Sequence, residues 1–495
     1  MTKTNITHKW TKPKKFDNNI IVIGGGSAGL VTAYLAAAVK AKVTLIEKHQ
    51  MGGDCLNTGC VPSKALISTT RLLANATRAK EFGIAKMTAD YKFSDVMERV
   101  QSVIKSIAPH DSVERYQNLG VNVIEGHARI ISPWEVEVTT KPGTQTLTTL
   151  AIVIAAGARP LVPSIPGIEN IDYLTSDSVW NLRVQPKHLI VLGGGPIGCE
   201  LAQCFARLGS NVTLIEMAPR LLIREDEDAS DLVLGQFMEE GIDVRLGHTA
   251  KQFVVENNEK ILLVEHEGKT VRIPFDAILL ALGRTPNTSG YGLEDIGVEL
   301  SPKLTIQIDG FQATNYPNIF ACGDVSGPYQ FTHTAAHQAW YPAVNALFGN
   351  IKKFRTDYSI IPWATFTEPE VARVGLNEQE AYEQGIKYEV SKYDIADLDR
   401  AIADGNAHGF VKVLTKPGTD KILGVTIAGD HAGDLIAEFV LAMKHGIGMN
   451  KILGTIHIYP TLAEANKYVA GVWKKNHQPE KLLKWVQTYH TWRRS

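Results

Sequence analysis

The sequence predicts an α/β chain: two like βαβ units, each cornered by glycines, and an α+β layer after them. Two observations carry that prediction. The stretch "NIIVIGGGSAGLVTAYLAAAVKAKVTLIEK" has a near copy in "HLIVLGGGPIGCELAQCFARLGSNVTLIEM", and Gly193 follows Gly24 by 169 positions. Past about residue 355 the glycine-cornered pattern stops, and strand-like runs mix with single helices.

In the first unit the apolar run Ile20 to Ile23 reads as a buried parallel strand. Gly24, Gly26 and Gly29 follow in G-x-G-x-x-G spacing, then an Ala-rich helix, then a strand from Val43 to Ile46 that ends in Glu47. In that context the glycines allow a tight turn and let a pyrophosphate approach the helix N-terminus, while the acid suits a ribose 2′-hydroxyl. The second unit repeats the pattern with Gly193, Gly195 and Gly198, the strand Val212 to Ile215, and Glu216. In both units the third glycine precedes the acid by 18 positions. Two dinucleotides are implied.

Shorter glycine turns follow each unit. Gly157 ends the apolar run of "IVIAAGARP", Gly283 ends that of "AILLALGRTPN", and Asp324 follows Gly323 in "IFACGDV". Each alone reads as an ordinary strand end; their order relative to the two units gives them weight. Farther on, "YSIIPWATFTEPEVARVGLNEQEA" has β-branched runs and a helix opening, and "GFVKVLTKPGTDKILGVTIAG" reads as a hairpin turning at Pro417 and Gly418. "HAGDLIAEFVLAMKHGI" is an apolar-faced helix. The tail "PEKLLKWVQTYHTWRRS" has two readings. It is a helix docked on its own domain, or a basic amphipathic helix that touches a membrane surface or a partner protein.

The bulk numbers bound the function classes. A chain of 495 residues holds about three domains at about 150 residues each. With 44% apolar and 21% charged residues it has a soluble globular mixture. A net charge of −1 argues against a field that would collect nucleic acid. Five cysteines do not make a disulfide-stapled secreted domain. The segment "MTKTNITHKWTKPKKFDNN" has no apolar core of a signal peptide, and no run of 18 apolar residues occurs. The expected compartment is the cytoplasm, or the inner face of a membrane if the tail binds there.

"GGDCLNTGCVPSK" places Cys55 and Cys60 in one glycine-rich stretch. Three readings apply: a disulfide that opens and closes, small apolar packing, or metal ligands. Metal binding lacks a second ligand pair, so no metal site is expected. Cys199, Cys204 and Cys322 read as small buried side chains. Residues five apart do not share a helical face well, and a disulfide needs Cα atoms within roughly 7 Å, so the pair requires a local distortion. Lys64 lies one turn past Cys60 on the same face. A cation and a helix N-terminus both lower a thiol's pKa.

These residues make the chain resemble the class I pyridine nucleotide-disulfide oxidoreductases, a family that includes dihydrolipoamide dehydrogenase, glutathione reductase and mercuric reductase. The resemblance runs from about residue 18 to about 472, and "GGDCLNTGCVPSK" is its most specific part. It implies two Rossmann-like FAD and NAD(P) domains plus an α+β C-terminal dimerisation domain, in a homodimer. The boundaries expected on that basis are an N-terminal extension 1–17, an FAD-binding domain in two parts (18–160 and 289–355), an NAD(P)-binding domain 161–288, a dimerisation domain 356–475 and a tail 476–495.

The same resemblance implies the site. Gly24, Gly26, Gly29 and Glu47 would hold the FAD pyrophosphate and adenosine ribose. Gly126 or Ala128 would touch the adenine by backbone, Gly157 and Gly283 would line nucleotide turns, and Asp324 would bond the ribityl chain. Cys60 would be the flavin-side sulfur and Cys55 the interchange sulfur that meets the substrate. Lys64 would sit near flavin N5, paired with Glu200. Gly193, Gly195, Gly198 and Glu216 would bind the nicotinamide dinucleotide. Glu216 accepts from a free 2′-hydroxyl and repels a 2′-phosphate, so NADH is expected over NADPH, although Arg220 and Arg224 follow it closely.

The chain departs from the family near its end. Disulfide-reducing members carry His-Pro-Thr-x-x-Glu, whose histidine serves the interchange thiol of the other subunit. Here "HIYPTLAEANKY" puts Tyr459 before Pro460, keeps Glu464, and has His457 two positions early. Two residues of extended chain displace a side chain by about 6.6 Å. Tyrosine titrates near 10, so it is a poor base at neutral pH. Mercuric reductases also place a tyrosine there and have a stretch like "LLIREDED", yet they end in a vicinal cysteine pair, and no cysteine follows Cys322 here. The expected acceptor is a disulfide, a soft metal ion bound by Cys55, Cys60 and Tyr459, or a quinone-like molecule. The competing reading is a flavoprotein with little disulfide turnover that acts through a membrane or protein partner of residues 478–495.

Overall fold

Ile20, Ile21 and Val22 are fully buried, as a parallel strand covered on both faces must be. They belong to the strand Asn18–Ile23, which lies between Val43–Glu47 and Gly143–Ile154 in a seven-stranded sheet. The structure is a computed structural model that describes residues 10–495; residues 1–9 of the predicted N-terminal extension lie outside the described residues. Asn122–Glu125 flanks this sheet beyond Val43–Glu47, and Ile319–Ala321 joins it in parallel beside Gly143–Ile154. The helix Ser27–Ala38 crosses one face and packs against the helix Thr332–Phe348 through Ala33, Ala36, Ala335 and Ala339. Small side chains there let the two backbones approach.

The second glycine-cornered unit builds a separate five-stranded parallel sheet. Its order is Asp243–Leu246, Asn211–Glu216, His188–Leu192, Ala277–Leu280 and Leu174–Thr175. The chain leaves the first sheet through Ala158–Pro160 and returns through Arg284–Pro286, and these two short strands pair antiparallel, Arg159 opposite Thr285. The second sheet is thus inserted in the chain that forms the first.

The last layer is an antiparallel five-stranded sheet in the order Pro362–Thr365, Glu370–Gly375, Ile422–Gly429, Phe410–Thr415 and Glu389–Asp394. The hairpin read from the sequence is there, with Val413 opposite Val425. The helices Ala432–Lys444 and Glu464–Asn476 cover one face, where Phe439, Val469 and Trp473 meet Val411, Val413 and Ile427.

The tail forms the helix Glu480–Arg494 and corrects one of its two readings: no residue in it is buried, so it is not docked on its own domain.

The stretch after Glu216 fastens the second sheet to the last one. Buried Lys412 donates to Asp228 at 2.8 Å and Glu378 at 2.9 Å and lies 2.7 Å from Asp226. Burial lowers the ammonium's pKa, but these three carboxylates more than offset it. Buried Arg373 pairs with Glu225 at 3.1 Å and Glu380 at 2.8 Å, and stacks on Trp363. Removing one partner of such a cluster strands the others. Lys412→Met is therefore expected to cost about 3 kcal/mol or more and to lower the thermal unfolding midpoint. An unchanged midpoint would show that the cluster adds nothing to stability.

Candidate active site

The stretch from Gly52 to Thr77 folds as two helices rather than one. Gly53–Asn57 stops at Thr58, and Cys60–Thr77 starts a turn later. Gly59 stands at the break, where a Cβ would lie 2.9 Å from the Asp54 carbonyl oxygen. This is the distortion the sequence required, and it turns Cys55 toward Cys60. The break is pinned from outside: the Trp180 indole N–H lies 2.8 Å from the Thr58 carbonyl and 2.7 Å from that of Ser176.

Both cysteines open into a cleft of about 670 Å³ between the first sheet and the inserted one. Cys60 Sγ lies 3.4 Å from the Thr332 hydroxyl. The hydrogen bond from Cys55 comes first among the effects that bring the Cys60 thiol down to about 6. The Thr332 hydroxyl and the Lys64 cation add to it, while burial and Glu200 oppose. The same Cys55–Cys60 bond, then burial and the Cys60 charge, push Cys55 up. The pair therefore holds one thiolate, on Cys60, and keeps the proton on Cys55. Lys64 donates to Glu200 Oε2 at 3.0 Å and lies over the Phe366 ring. Glu200 Oε1 accepts from the Phe366 N–H at 3.0 Å.

The glycine turns divide the work. Gly24, Gly26, Glu47, Gly126, Ala128, Gly157 and Asp324 all line the cleft with Cys55, Cys60, Lys64 and Glu200. Gly29 does not: a Cβ there would sit 1.8 Å from the Gly24 carbonyl oxygen, so this glycine lets the helix close on the strand turn. Gly198 does the same against Gly193 at 1.9 Å. Gly193, Gly195, Glu216 and Gly283 lie outside the cleft, at the strand ends of the inserted sheet. Glu47 and Glu216 are held alike. Glu47 accepts from the Gly25 N–H at 2.5 Å and the His49 N–H at 2.7 Å. Glu216 accepts from the Gly194 N–H at 2.6 Å and the Ala218 N–H at 2.7 Å.

Cys199, Cys204 and Cys322 are buried, and burial pushes all three thiols up, Cys204 and Cys322 to about 12. Among the described residues no group of three or more His, Cys, Asp or Glu is placed to hold a metal ion.

The sequence reading missed several cleft residues. Arg284 pairs with Asp54 and lies 3.7 Å from Asp324. Burial raises Asp324 to about 6, against the pull of Arg284. Arg284 follows Gly283 directly and Asp54 precedes Cys55, so proximity to a motif was the available signal. Thr332 and Trp180 had none, nor had Phe366, which lies outside the cleft against Lys64 and Glu200.

The structure does not bring Tyr459 or Glu464 to the cysteines of their own chain. Neither lines the cleft. Tyr459 is exposed and donates to Asp399 at 3.0 Å, which raises its phenol further. Glu464 is buried and accepts from the Thr461 N–H and the Tyr468 hydroxyl, both at 3.3 Å. His457 is half-buried, with its ring covered against Glu438, 3.0 Å from that carboxylate.

Residues 18–339 match the pyridine nucleotide-disulphide oxidoreductase family, and residues 361–470 match its dimerisation domain. The chain belongs to this family. It is 35% identical over 454 residues to a dihydrolipoyl dehydrogenase of Chlamydia trachomatis, covering 90% of this chain and 94% of that one. It is 32% identical over 461 residues to a mercuric reductase of Bacillus cereus, covering 93% and 72%. Among solved structures it is similar to the Cu(II) complex of the HOCl-induced flavoprotein disulfide reductase RclA from Escherichia coli. That match has a TM-score of 0.82 and 27% identity, and covers 93% of this chain and 99% of that one. The chain is an FAD-dependent oxidoreductase that uses a pyridine nucleotide and a redox disulfide, and its dimerisation domain supports a homodimer. The cleft suits FAD: glycine backbone and a helix N-terminus stand at one part, and the half-buried Asp324 carboxyl stands beside the cysteines at another.

Alkylation of the reduced protein by iodoacetamide, read peptide by peptide, is expected to show Cys60 reacting with a pH midpoint near 6. Lys64 favours the thiolate, so Lys64→Met should move that midpoint up by about one unit. A midpoint that stays put would remove Lys64 from the thiolate's surroundings.

Proposed function

We propose that this enzyme passes electrons from NADH, by way of FAD and the Cys55–Cys60 pair, to a soft metal ion in preference to an organic disulfide. One observation carries the preference: Tyr459 stands before Pro460, where disulfide-reducing members of the family carry the histidine that serves the interchange thiol of the other subunit. An organic disulfide is attacked by a thiolate, and Cys55 holds its proton more firmly than an ordinary thiol. A soft cation removes that need, because a thiol that coordinates it is deprotonated outright. The relatives named mercuric reductase and the neighbour solved with Cu(II) agree with this reading, while those named dihydrolipoyl dehydrogenase favour a disulfide.

In this reading Gly24, Gly26 and the N-terminus of Ser27–Ala38 would hold the FAD pyrophosphate, Glu47 the ribose, Gly126 or Ala128 the adenine, and Asp324 the ribityl chain, all of them residues that line the cleft. FAD bound there supplies hydride uptake from NADH and delivery of the electron pair to the cysteines. Cys60 carries the resulting negative charge under Lys64 and Thr332. Glu200 holds the Lys64 ammonium in place. Cys55 meets the acceptor. In the homodimer Tyr459 and Glu464 reach Cys55 of the partner chain, where the phenol oxygen adds a third ligand for the cation.

The anaerobic oxidation of NADH by the FAD-loaded protein tests this. Hg(II) or Cu(II) is expected to turn over at least tenfold faster than lipoamide or glutathione disulfide, with Cys60→Ser abolishing turnover and Tyr459→Phe slowing it. Lipoamide as the faster acceptor would sink the metal preference. Full activity in Tyr459→Phe would remove that residue from the site.

Cofactor choice rests on Glu216, held by two backbone N–H groups at the strand end. Arg220 is turned away, onto the carbonyls of Ile223 and Glu225 and onto Gln379. NADPH is expected to show a KM at least tenfold above that of NADH, with Glu216→Ala narrowing the gap. Equal KM values in the native protein would place the selection elsewhere.

A further inference from the structure

The helix Glu480–Arg494 lies past the matched dimerisation domain and takes no part in the cleft. Leu482, Trp485, Val486, Tyr489 and Trp492 recur at helical spacing and share one face. Leu482, Trp485 and Trp492 are 53%, 65% and 71% exposed, so the chain itself does not cover that face. The Tyr489 ring lies 6.2 Å from both Trp485 and Trp492, which makes a continuous aromatic ridge. Lys481, Lys484 and Arg494 lie off the ridge, and Arg493 lies at its end. Glu480 is the one acid in the helix. Among the described residues, none of the four cations forms an ion pair. The segment is net positive in a chain of net charge −1, so the two signs are segregated.

We propose that this helix is an interfacial anchor that lies flat on a bilayer surface rich in anionic lipid. Tryptophan and tyrosine seat an apolar ring below the headgroups and a polar edge among them. Lysine and arginine on the opposite side and rim meet the anionic headgroups. The helix is too short and too polar to cross a membrane. A second copy of the chain is the rival occupant. Pairing two such helices would bring like charges together, whereas an anionic surface neutralises them.

The FAD-loaded, full-length protein is centrifuged with vesicles of phosphatidylcholine alone and with an equimolar mixture of phosphatidylcholine and phosphatidylglycerol. Sedimentation with the anionic vesicles only, weakened by salt, is the expected result. Trp485→Ser/Trp492→Ser should abolish it, and Lys481→Gln/Lys484→Gln should weaken it by about tenfold or more. Flavin reduction by NADH should be unchanged in both variants. The proposal is overturned if the native protein stays in solution with anionic vesicles at low salt, or binds neutral vesicles equally. It is also overturned if Trp485→Ser/Trp492→Ser converts a dimer to a monomer on size exclusion, which would assign the face to a second copy.

Discussion

The helix Cys60–Thr77 packs along the helix Pro196–Arg207, and the rest of the site depends on that contact. Leu66 and Ile67 meet Leu201 and Phe205 in one buried cluster, and the Thr70 hydroxyl donates to Cys204 Sγ at 3.5 Å. The first helix begins at Cys60; the second begins at the inserted sheet's glycine turn. Their close approach sets Lys64 against Glu200, so a helix that follows the first βαβ unit meets the helix of the second at the cleft. A larger side chain at Cys204 would part the helices and lengthen that ion pair. Glu200 is almost buried, so losing its cation would leave an uncompensated charge.

Glu200 also reaches the last layer, because its second oxygen accepts from the Phe366 backbone. That bond places a segment of the C-terminal sheet beside Lys64. The buried clusters around Lys412 and Arg373 tie the same sheet to the loop after Glu216. The acids of "LLIREDED" therefore serve attachment as well as composition: Glu225 takes Arg373 and the Trp363 indole, and Asp226 takes Lys412. Both ends of the inserted unit are fixed to the layers on either side of it.

Much of this was legible because it is local. A strand, a glycine turn, a helix and an acid-ended strand can be read from spacing alone, and the hairpin at Pro417 and Gly418 from its turn residues. The need for a distortion between Cys55 and Cys60 was also local, since it follows from helical geometry. What could not be read was long-range. Thr332 reaches Cys60 across 272 positions and Phe366 reaches Glu200 across 166, and no pattern near either residue announces it. The tail was half legible: its amphipathic spacing was clear, but whether its own domain covered it depended on tertiary packing. Gly29 shows a subtler limit. Its spacing marked the nucleotide turn, while the structure gives it the work of closing the helix onto Gly24.

The position before Pro460 decides more than its distance from the cleft suggests. Negative charge on Cys60 is favoured by Cys55, Thr332 and Lys64 within one chain. In the proposed reaction the transfer out of the pair is different, because Cys55 would give up its proton on meeting the acceptor. A histidine near pKa 6.5 would take that proton at neutral pH. Tyr459, pushed above its ordinary value by Asp399, does not, and His457 is committed to Glu438. In the proposed reaction the residues around Cys60 favour its thiolate, and the phenol before Pro460 offers no base at neutral pH. An acceptor that displaces the proton by itself, as a thiophilic cation does, removes the need for that base.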